Sequence, residues 1–349
     1  MKTIKLGIIG YGGMGKWHAK NAPRAGVEIA AVCDIDKEKI AQGKNDGYLT
    51  YSSTEELLAD KEVNTVILTV PNHLHHEMCL KAARAGKNVI AEKPAAMSVA
   101  ELDEMEKACK AAKVAFTVHQ NRRWDRDMLI VKKAYEEGRL GKIFTIESKL
   151  HSGNGYMHEW HLYQKFGGGM IYDWGVHLID QILYMMPEAK IKSLYADIKN
   201  VLHEEVDDYF KIILKLDNGV TAHIELSTYI LDYQPRWLVG GDKGTLVIKD
   251  FSCEGKIYHT GELLKKLPPQ ITETVAGPTR QFAPVPPGGI VTEELPMVET
   301  DWVEFYRNVT EAINGREEFK IKISEVRRVL AVMEAARRSA ESGEAVCFE

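Results

Sequence analysis

The chain has 349 residues, 45% apolar and 27% charged, with a net charge of −5. That length exceeds what one hydrophobic core usually serves and predicts two domains, and the acidic balance offers no long-range attraction to nucleic acid or an anionic membrane. Five scattered cysteines without a C-x-x-C pair argue against a disulfide framework or a thiolate metal site, no apolar run reaches membrane-spanning length, and the expected location is the cytoplasm.

The first predicted element is the apolar run Ile4 to Ile9, which reads as a strand rather than a signal peptide because Gly7 and Gly10 break it. Gly10-Tyr11-Gly12-Gly13-Met14-Gly15 follows and leads into a helix. In such a strand–turn–helix, Gly10 takes the turn, Gly12 lets backbone approach a phosphate and Gly15 lets helix pack on strand. The helix N-terminus then offers free N–H groups and positive dipole character to a pyrophosphate. A second strand, Val27 to Val32, ends at Asp34, whose carboxylate would accept hydrogen bonds from ribose hydroxyls and repel a 2′-phosphate. This favours NAD over NADP, with Lys37 placed where it could sit near the same ribose.

A charged helix (37–44), a short strand near 49–51 and a capped helix from Ser53 come next. Val63 to Val70 is a nearly all-apolar strand ended by Pro71-Asn72, as suits a parallel sheet covered on both faces. His75 to Ala85 forms a helix, Asn88 to Ala91 a strand ending in Glu92-Lys93-Pro94, Val99 to Ala112 a helix and Val114 to Val118 a strand. Strands alternating with helices on short loops predict a doubly wound α/β sheet through about residue 120. Lys93, just past a strand's carboxyl end, is placed where ligands bind, although strand-end lysines are often merely solvated.

Beyond that point the pattern changes. A helix (128–137) and an alternating strand (143–150) lead to a loop rich in glycine and aromatics (151–169), then a helix from Met170 to Met186. Tyr209 to Leu216 and Val220 to Leu226 form a hairpin around Asp217-Asn218-Gly219, and 237–239 with 245–248 a second pair. Residues 265–299 read as a long surface excursion, and helices at 301–313 and 324–342 close the chain. The second domain is thus α+β with an open, largely antiparallel sheet, whose uncovered face predicts pairing into a homodimer or homotetramer.

On the helix after Gly167-Gly168-Gly169, Asp173 and His177 lie at i and i+4 and so share a face. A histidine beside a carboxylate can take a hydroxyl proton while hydride leaves the same carbon. Asp180 is expected to orient His177, and the glycine run to let backbone approach a ligand; the bland reading is a satisfied polar interior. His73-Leu74-His75-His76 lacks a matched second segment for metal and reads instead as helix capping and cofactor contact. His151, His158 and His161 are likewise too loosely spaced for metal, so no metal is expected. The segment His158 to Tyr163, with Trp160 and His161, reads either as a polyol-binding lining or as loop anchoring.

Together these residues resemble the glucose–fructose oxidoreductase/inositol dehydrogenase family (Gfo/Idh/MocA). Four matches carry the resemblance: the 10–15 glycine turn, Pro71-Asn72 with His75, Ala85 through Glu92-Lys93-Pro94, and Gly167-Gly168-Gly169 through Asp173, Gly175, His177 and Asp180. Arg123-Trp124 adds the family's Arg-aromatic step at the domain junction. The resemblance implies an N-terminal Rossmann domain (1–122) and a C-terminal substrate-binding and oligomerisation domain (123–349). It implies Lys93, Asp173 and His177 as the catalytic group, with His177 the general acid/base and Lys93 polarising the same oxygen. Gly10 to Gly15 (Tyr11, Gly13 and Met14 included), Asp34, Pro71, Asn72, His75, Glu92 and Lys93 would hold NAD. Arg123, Tyr156, His158, Trp160, His161, Lys93, Asp173 and His177 would hold the substrate. The expected activity is hydride transfer between nicotinamide and a ring hydroxyl of a sugar, sugar derivative or cyclitol. The rivals are a glycosidase or lyase that recycles tightly held NAD, with Tyr156, His158, His161 or Tyr163 as extra acid or base, and a nonenzymatic NAD or sugar sensor.

Overall fold

A computed structural model describes residues 3–155, 157–266, 271–280 and 284–348. Strands β1 (Lys5–Ile9), β2 (Glu28–Cys33), β3 (Thr50–Tyr51), β4 (Thr65–Leu68), β5 (Asn88–Ala91) and β6 (Phe116–Val118) alternate with helices α1 (Gly13–Asn21), α2 (Lys37–Asn45), α3 (Thr54–Ala59), α4 (His75–Arg84) and α5 (Val99–Ala112). The strands form one parallel sheet in the order β3-β2-β1-β4-β5-β6, so the connection direction reverses between β1 and β4. The all-apolar run of β4 is buried at every residue, as a strand covered on both faces requires. The Rossmann half therefore stands as expected.

The chain crosses over at Asn121–Trp124 into α6 (Arg126–Glu136), β7 (Ile143–His151) and α7 (Val176–Met185). Strands β8 (Ile191–Lys199), β9 (Tyr209–Leu216), β10 (Thr221–Ser227), β11 (Trp237–Gly241), β12 (Thr245–Ile248) and β13 (Gly255–Thr260) follow. After a short helix α8 (Glu262–Lys266) and a small hairpin, β14 (Thr272–Thr274) with β15 (Gly277–Thr279), comes β16 (Ile290–Glu293). Helices α9 (Glu304–Ile313) and α10 (Ile323–Ser342) precede β17 (Val346–Cys347).

Nine of these strands make one sheet, antiparallel throughout except where β10 lies parallel to β7. Both expected hairpins form, with Thr221 opposite Lys215 and Thr245 opposite Gly240. The excursion after 265 is only partly external, because Ile290–Glu293 pairs with β13 as an edge strand. Helices α7 and α10 cover one face, while Phe144 and Tyr195 stand exposed on strands of the same sheet. The last third of the chain returns to the first domain: Arg24 meets Asp301, Thr117 donates to the Ile321 carbonyl, and Arg327 pairs with Asp103. No described helix is long and apolar enough to cross a membrane.

The glycine turn shows why its residues are needed. Gly10 has φ +99°, and a Cβ there would sit 2.5 Å from the Thr69 carbonyl oxygen; one on Gly15 would sit 2.1 Å from that of Gly10. Both close contacts are with backbone, which cannot swing aside. Gly15→Ala is expected to cost at least about 2–3 kcal/mol, as overpacking does. A chemical melt would check it, and an unchanged midpoint would contradict the packing described.

Candidate active site

Gly12 and Gly13 differ from their neighbours in the turn: a Cβ on either would meet nothing within 4 Å. The first turn of α1 carries no acid, and Gly12 supplies no side-chain cap, so the helix N–H groups face that open space. Asp34 stands beside it, accepting from the Tyr11 N–H (2.7 Å) and the Asp36 N–H (2.9 Å). Lys39, rather than Lys37, has its amine near this carboxylate, at 4.0 Å. An anion cradle with a carboxylate at its rim fits a dinucleotide. Tyr11 takes part through its backbone alone, since its ring is buried and its hydroxyl donates to Asp46. Met14 is 38% exposed on the first turn of α1.

Lys93 leaves the carboxyl end of β5, and its amine donates to the Asp173 carbonyl (2.8 Å) and to Asp173 Oδ1 (2.7 Å). An ammonium has three N–H donors, so one remains. Asp173 lies in a single π-turn, Ile171–Gly175, that precedes α7, and such insertions shift the phase of side chains. The expected i, i+4 partnership with His177 is therefore corrected, because the carboxylate serves Lys93 instead. Burial tends to raise the pKa of Asp173, but the charge and hydrogen bond of Lys93 outweigh it and hold the group below its usual range.

His177 is 4% exposed and, among the described residues, hydrogen-bonds to nothing; yet its ring nitrogens are not sealed from solvent. Burial, then the positive charges of Lys93 and Arg122, push its pKa well below the ordinary value, so the ring is neutral at pH 7. Trp174 packs edge-on against it at 5.9 Å. His161 lies near enough to feel the charges of Asp173 and Lys93, although burial dominates in lowering its pKa. It stacks on Trp160 at 3.8 Å, while His158 is exposed at the start of this turn. Tyr156 lies outside the described residues.

Several assigned roles change. Asp180 does not orient His177: it forms a bidentate pair with Arg123 (2.8 and 2.6 Å), and both are buried. Arg123 also donates to Glu325 (2.6 Å) and the Lys320 carbonyl, so it is a structural clamp rather than a substrate ligand. The residue that reaches the site is Arg122, whose guanidinium lies 3.9 Å over the Trp174 ring and bonds Asp125 at 3.0 Å. A cavity of about 470 Å³ lies behind it, lined by Trp17, Trp124, Phe251 and Trp302. Arg122 also lines this cavity, whereas Lys93, Asp173 and His177 do not.

The glycine run 167–169 packs closely against protein. A Cβ on Gly168 would lie 2.2 Å from the His161 carbonyl oxygen, and one on Gly169 2.4 Å from Asp207. Asn72 donates to the Gly167 carbonyl at 2.8 Å, clipping this loop to the first domain immediately after Pro71. His75 is buried between two loop carbonyls, Nδ1 2.8 Å from that of Pro94 and Nε2 3.0 Å from that of Val70; burial lowers its pKa, so the single N–H of the neutral ring donates to one of them. Asp207, which the sequence did not flag, caps the π-turn by accepting from the Ile171 N–H at 2.7 Å.

Glu92 faces the domain seam. Its Oε1 accepts from His18 Nε2 (2.7 Å) and His119 Nδ1 (2.9 Å), and its Oε2 from the Lys93 N–H (3.1 Å). Burial raises its pKa, but the two histidines outweigh that and hold it well below the usual carboxylate value. Burial pushes His18 down to about 4. A neutral His18 donating from Nε2 leaves Nδ1 to accept from the Tyr306 hydroxyl, 2.5 Å away. The donor atoms of His18, Glu92 and His119 lie within 4.8 Å of one another, close enough to hold a metal ion, but the hydrogen bonds among them account for the arrangement. The carboxylate thus braces the backbone of Lys93 rather than binding a cofactor.

Residues 4–120 match the model of the oxidoreductase family with an NAD-binding Rossmann fold, and residues 128–247 the GFO/IDH/MocA C-terminal domain. An uncharacterized oxidoreductase of Schizosaccharomyces pombe is 31% identical over 85% of each chain. The scyllo-inositol 2-dehydrogenase (NADP+) IolW of Bacillus subtilis is 28% identical over 99% of this chain and 96% of its own. The crystal structure of an NAD-binding protein from Listeria innocua superposes with a TM-score of 0.94 at 36% identity, each chain fully covered.

Proposed function

As this chain belongs to the GFO/IDH/MocA family of NAD-binding oxidoreductases, we propose that it is a dehydrogenase acting on a secondary alcohol of a cyclitol, sugar or sugar derivative. One observation carries this reading: a buried, neutral His177 that hydrogen-bonds to nothing among the described residues, acted on by a lysine that keeps one N–H free among them. His177 takes the hydroxyl proton as general base, and Lys93 donates its remaining N–H to the same oxygen as negative charge develops there. Asp173 holds the amine in place. Bound NAD supplies the hydride acceptor. Asp34 receives the ribose hydroxyls and disfavours a 2′-phosphate. Trp160 and His161 offer an aromatic platform to the apolar face of a ring. A second copy would pair on the uncovered sheet face.

A panel of inositols and sugars, followed by reduced-nicotinamide absorbance, tests the assignment. The relatives' names support trying cyclitols first. The reading fails if NADH does not bind and no member of the panel turns over.

The pH dependence follows from the charges. A base must be neutral, so oxidation slows as pH falls through the pKa of His177. With that pKa held below the ordinary 6.5 by burial, Lys93 and Arg122, the acid limb of the rate profile lies below this value. Arg122→Gln removes one of the positive charges and moves the limb to higher pH. A limb that stays in place would show that the guanidinium does not act on the imidazole.

A further inference from the structure

The chain leaves β6 through His119, Gln120, Asn121 and Arg122, and among the described residues the side-chain amides of both Gln120 and Asn121 go unpaired. Asn121 is 6% exposed, yet among the described residues its side chain hydrogen-bonds to nothing. Its amide atoms are not closed off from solvent, whereas those of Gln120 are unpaired but sealed on all sides. Asn121 therefore presents an otherwise buried amide to accessible space, and an unsatisfied amide at such a depth calls for a partner.

Its place in the sheet says which partner. The reversal between β1 and β4 divides a dinucleotide: Asp34, at the end of β2, marks the adenosine side, so the pyridine half extends over the carboxyl ends of β4, β5 and β6. Strands β5 and β6 are paired with Ala91 opposite Val118, and the His119 N–H donates to the Ala91 carbonyl. Lys93 and Asn121, two and three residues beyond those strands, thus emerge on one edge. His177, which contacts substrate in the proposed reaction, comes from the other domain. The polar handle of the pyridine ring is a primary carboxamide, one acceptor and one N–H₂ donor, and an asparagine amide complements it atom for atom.

We propose that Asn121 recognises the nicotinamide carboxamide and so sets the orientation in which the ring meets the substrate. The assignment rests on the dehydrogenase reading but needs no substrate to be tested. Calorimetric titrations of NADH and of ADP-ribose, which lacks the pyridine ring, are made on the wild type, Asn121→Leu and Asn121→Asp. Asn121→Leu is expected to weaken NADH by about tenfold, as loss of a buried hydrogen-bonded pair would, and to leave ADP-ribose unchanged. Asn121→Asp, nearly isosteric, keeps an acceptor and loses the donor, so its NADH affinity falls between the two. Wild type prefers NAD to its 3-acetylpyridine analogue, which has no N–H₂, and the leucine variant loses that preference. Equal weakening of NADH and ADP-ribose, or no change in either, overturns the assignment and includes the case in which Asn121 serves substrate instead. Failure of the wild type to bind NADH would overturn the dehydrogenase reading itself.

Discussion

His177→Asn is expected to lower turnover by a factor on the order of 10²–10⁴, the contribution of a positioned general base, while NADH affinity stays unchanged. Asparagine fills much of the same space but cannot take a proton. His177 is singled out by what it lacks. Lys93 has two donors on Asp173, Asp173 is tied to Lys93, and Arg122 is tied to Asp125, whereas His177 hydrogen-bonds to nothing among the described residues. Its pKa is pushed down by burial and by two cations, so protonating the resting enzyme is unfavourable. The same cations favour an alkoxide at the substrate oxygen. Lys93→Ala should therefore also reduce turnover strongly, and with a second signature: the acid limb of the remaining activity moves up, because a charge opposing protonation of His177 has gone. The measurement is steady-state turnover across pH for each variant, alongside NADH titration. Full activity in His177→Asn would remove the imidazole from the chemistry. A parallel loss of NADH binding would make it a structural residue.

The parts of this site that were legible in the sequence are those set by local geometry. Gly10 in the turn and Gly15 in the first turns of α1 meet backbone that admits no Cβ, and Asp34, just past β2, accepts from the Tyr11 N–H beside them, so spacing located all three. The placement of Lys93 at a parallel strand's carboxyl end was legible too, since the strand pattern fixed it, while its contact with Asp173 was not. What spacing could not supply was the partner of each charge. Arg122 and Arg123 are adjacent and chemically identical, yet one turns to Trp174 and the other to Asp180, and only the packing of α7 and α10 decides between them. The clasp of Tyr306, His18 and Glu92 joins groups 288 and 74 residues apart, and Asp207 reaches Ile171 across 36. The π-turn was hidden for a related reason. Nothing in the residue types of Ile171–Gly175 marks the change of phase, and the Asp173 carboxylate accepts from Lys93.

Arg123→Ala is expected to destabilise the fold by about 3–5 kcal/mol, the loss that follows when one partner of a buried ion pair is removed. The guanidinium is 3% exposed, is bidentate to Asp180, donates further to Glu325 and the Lys320 carbonyl, and lies 4.4 Å over the Tyr184 ring. It thus joins the domain crossover, α7 and the start of α10. Without it, the buried Asp180 carboxylate has lost its counter-charge, and water cannot readily replace the missing donors. Most of the expected loss is that penalty rather than the attraction itself. The double replacement Arg123→Met with Asp180→Leu should accordingly recover part of the stability, since it leaves no buried charge without its counter-charge and the half-exposed Glu325 can turn to water, although the Lys320 carbonyl still loses a donor. Denaturant melts of the two single variants and the double would show it. Kinetics add the discriminating part: if Asp180 only anchors Arg123, the folded double variant keeps the pH profile of the parent. A shifted profile in that variant would return to Asp180 the influence over His177 that the geometry takes away.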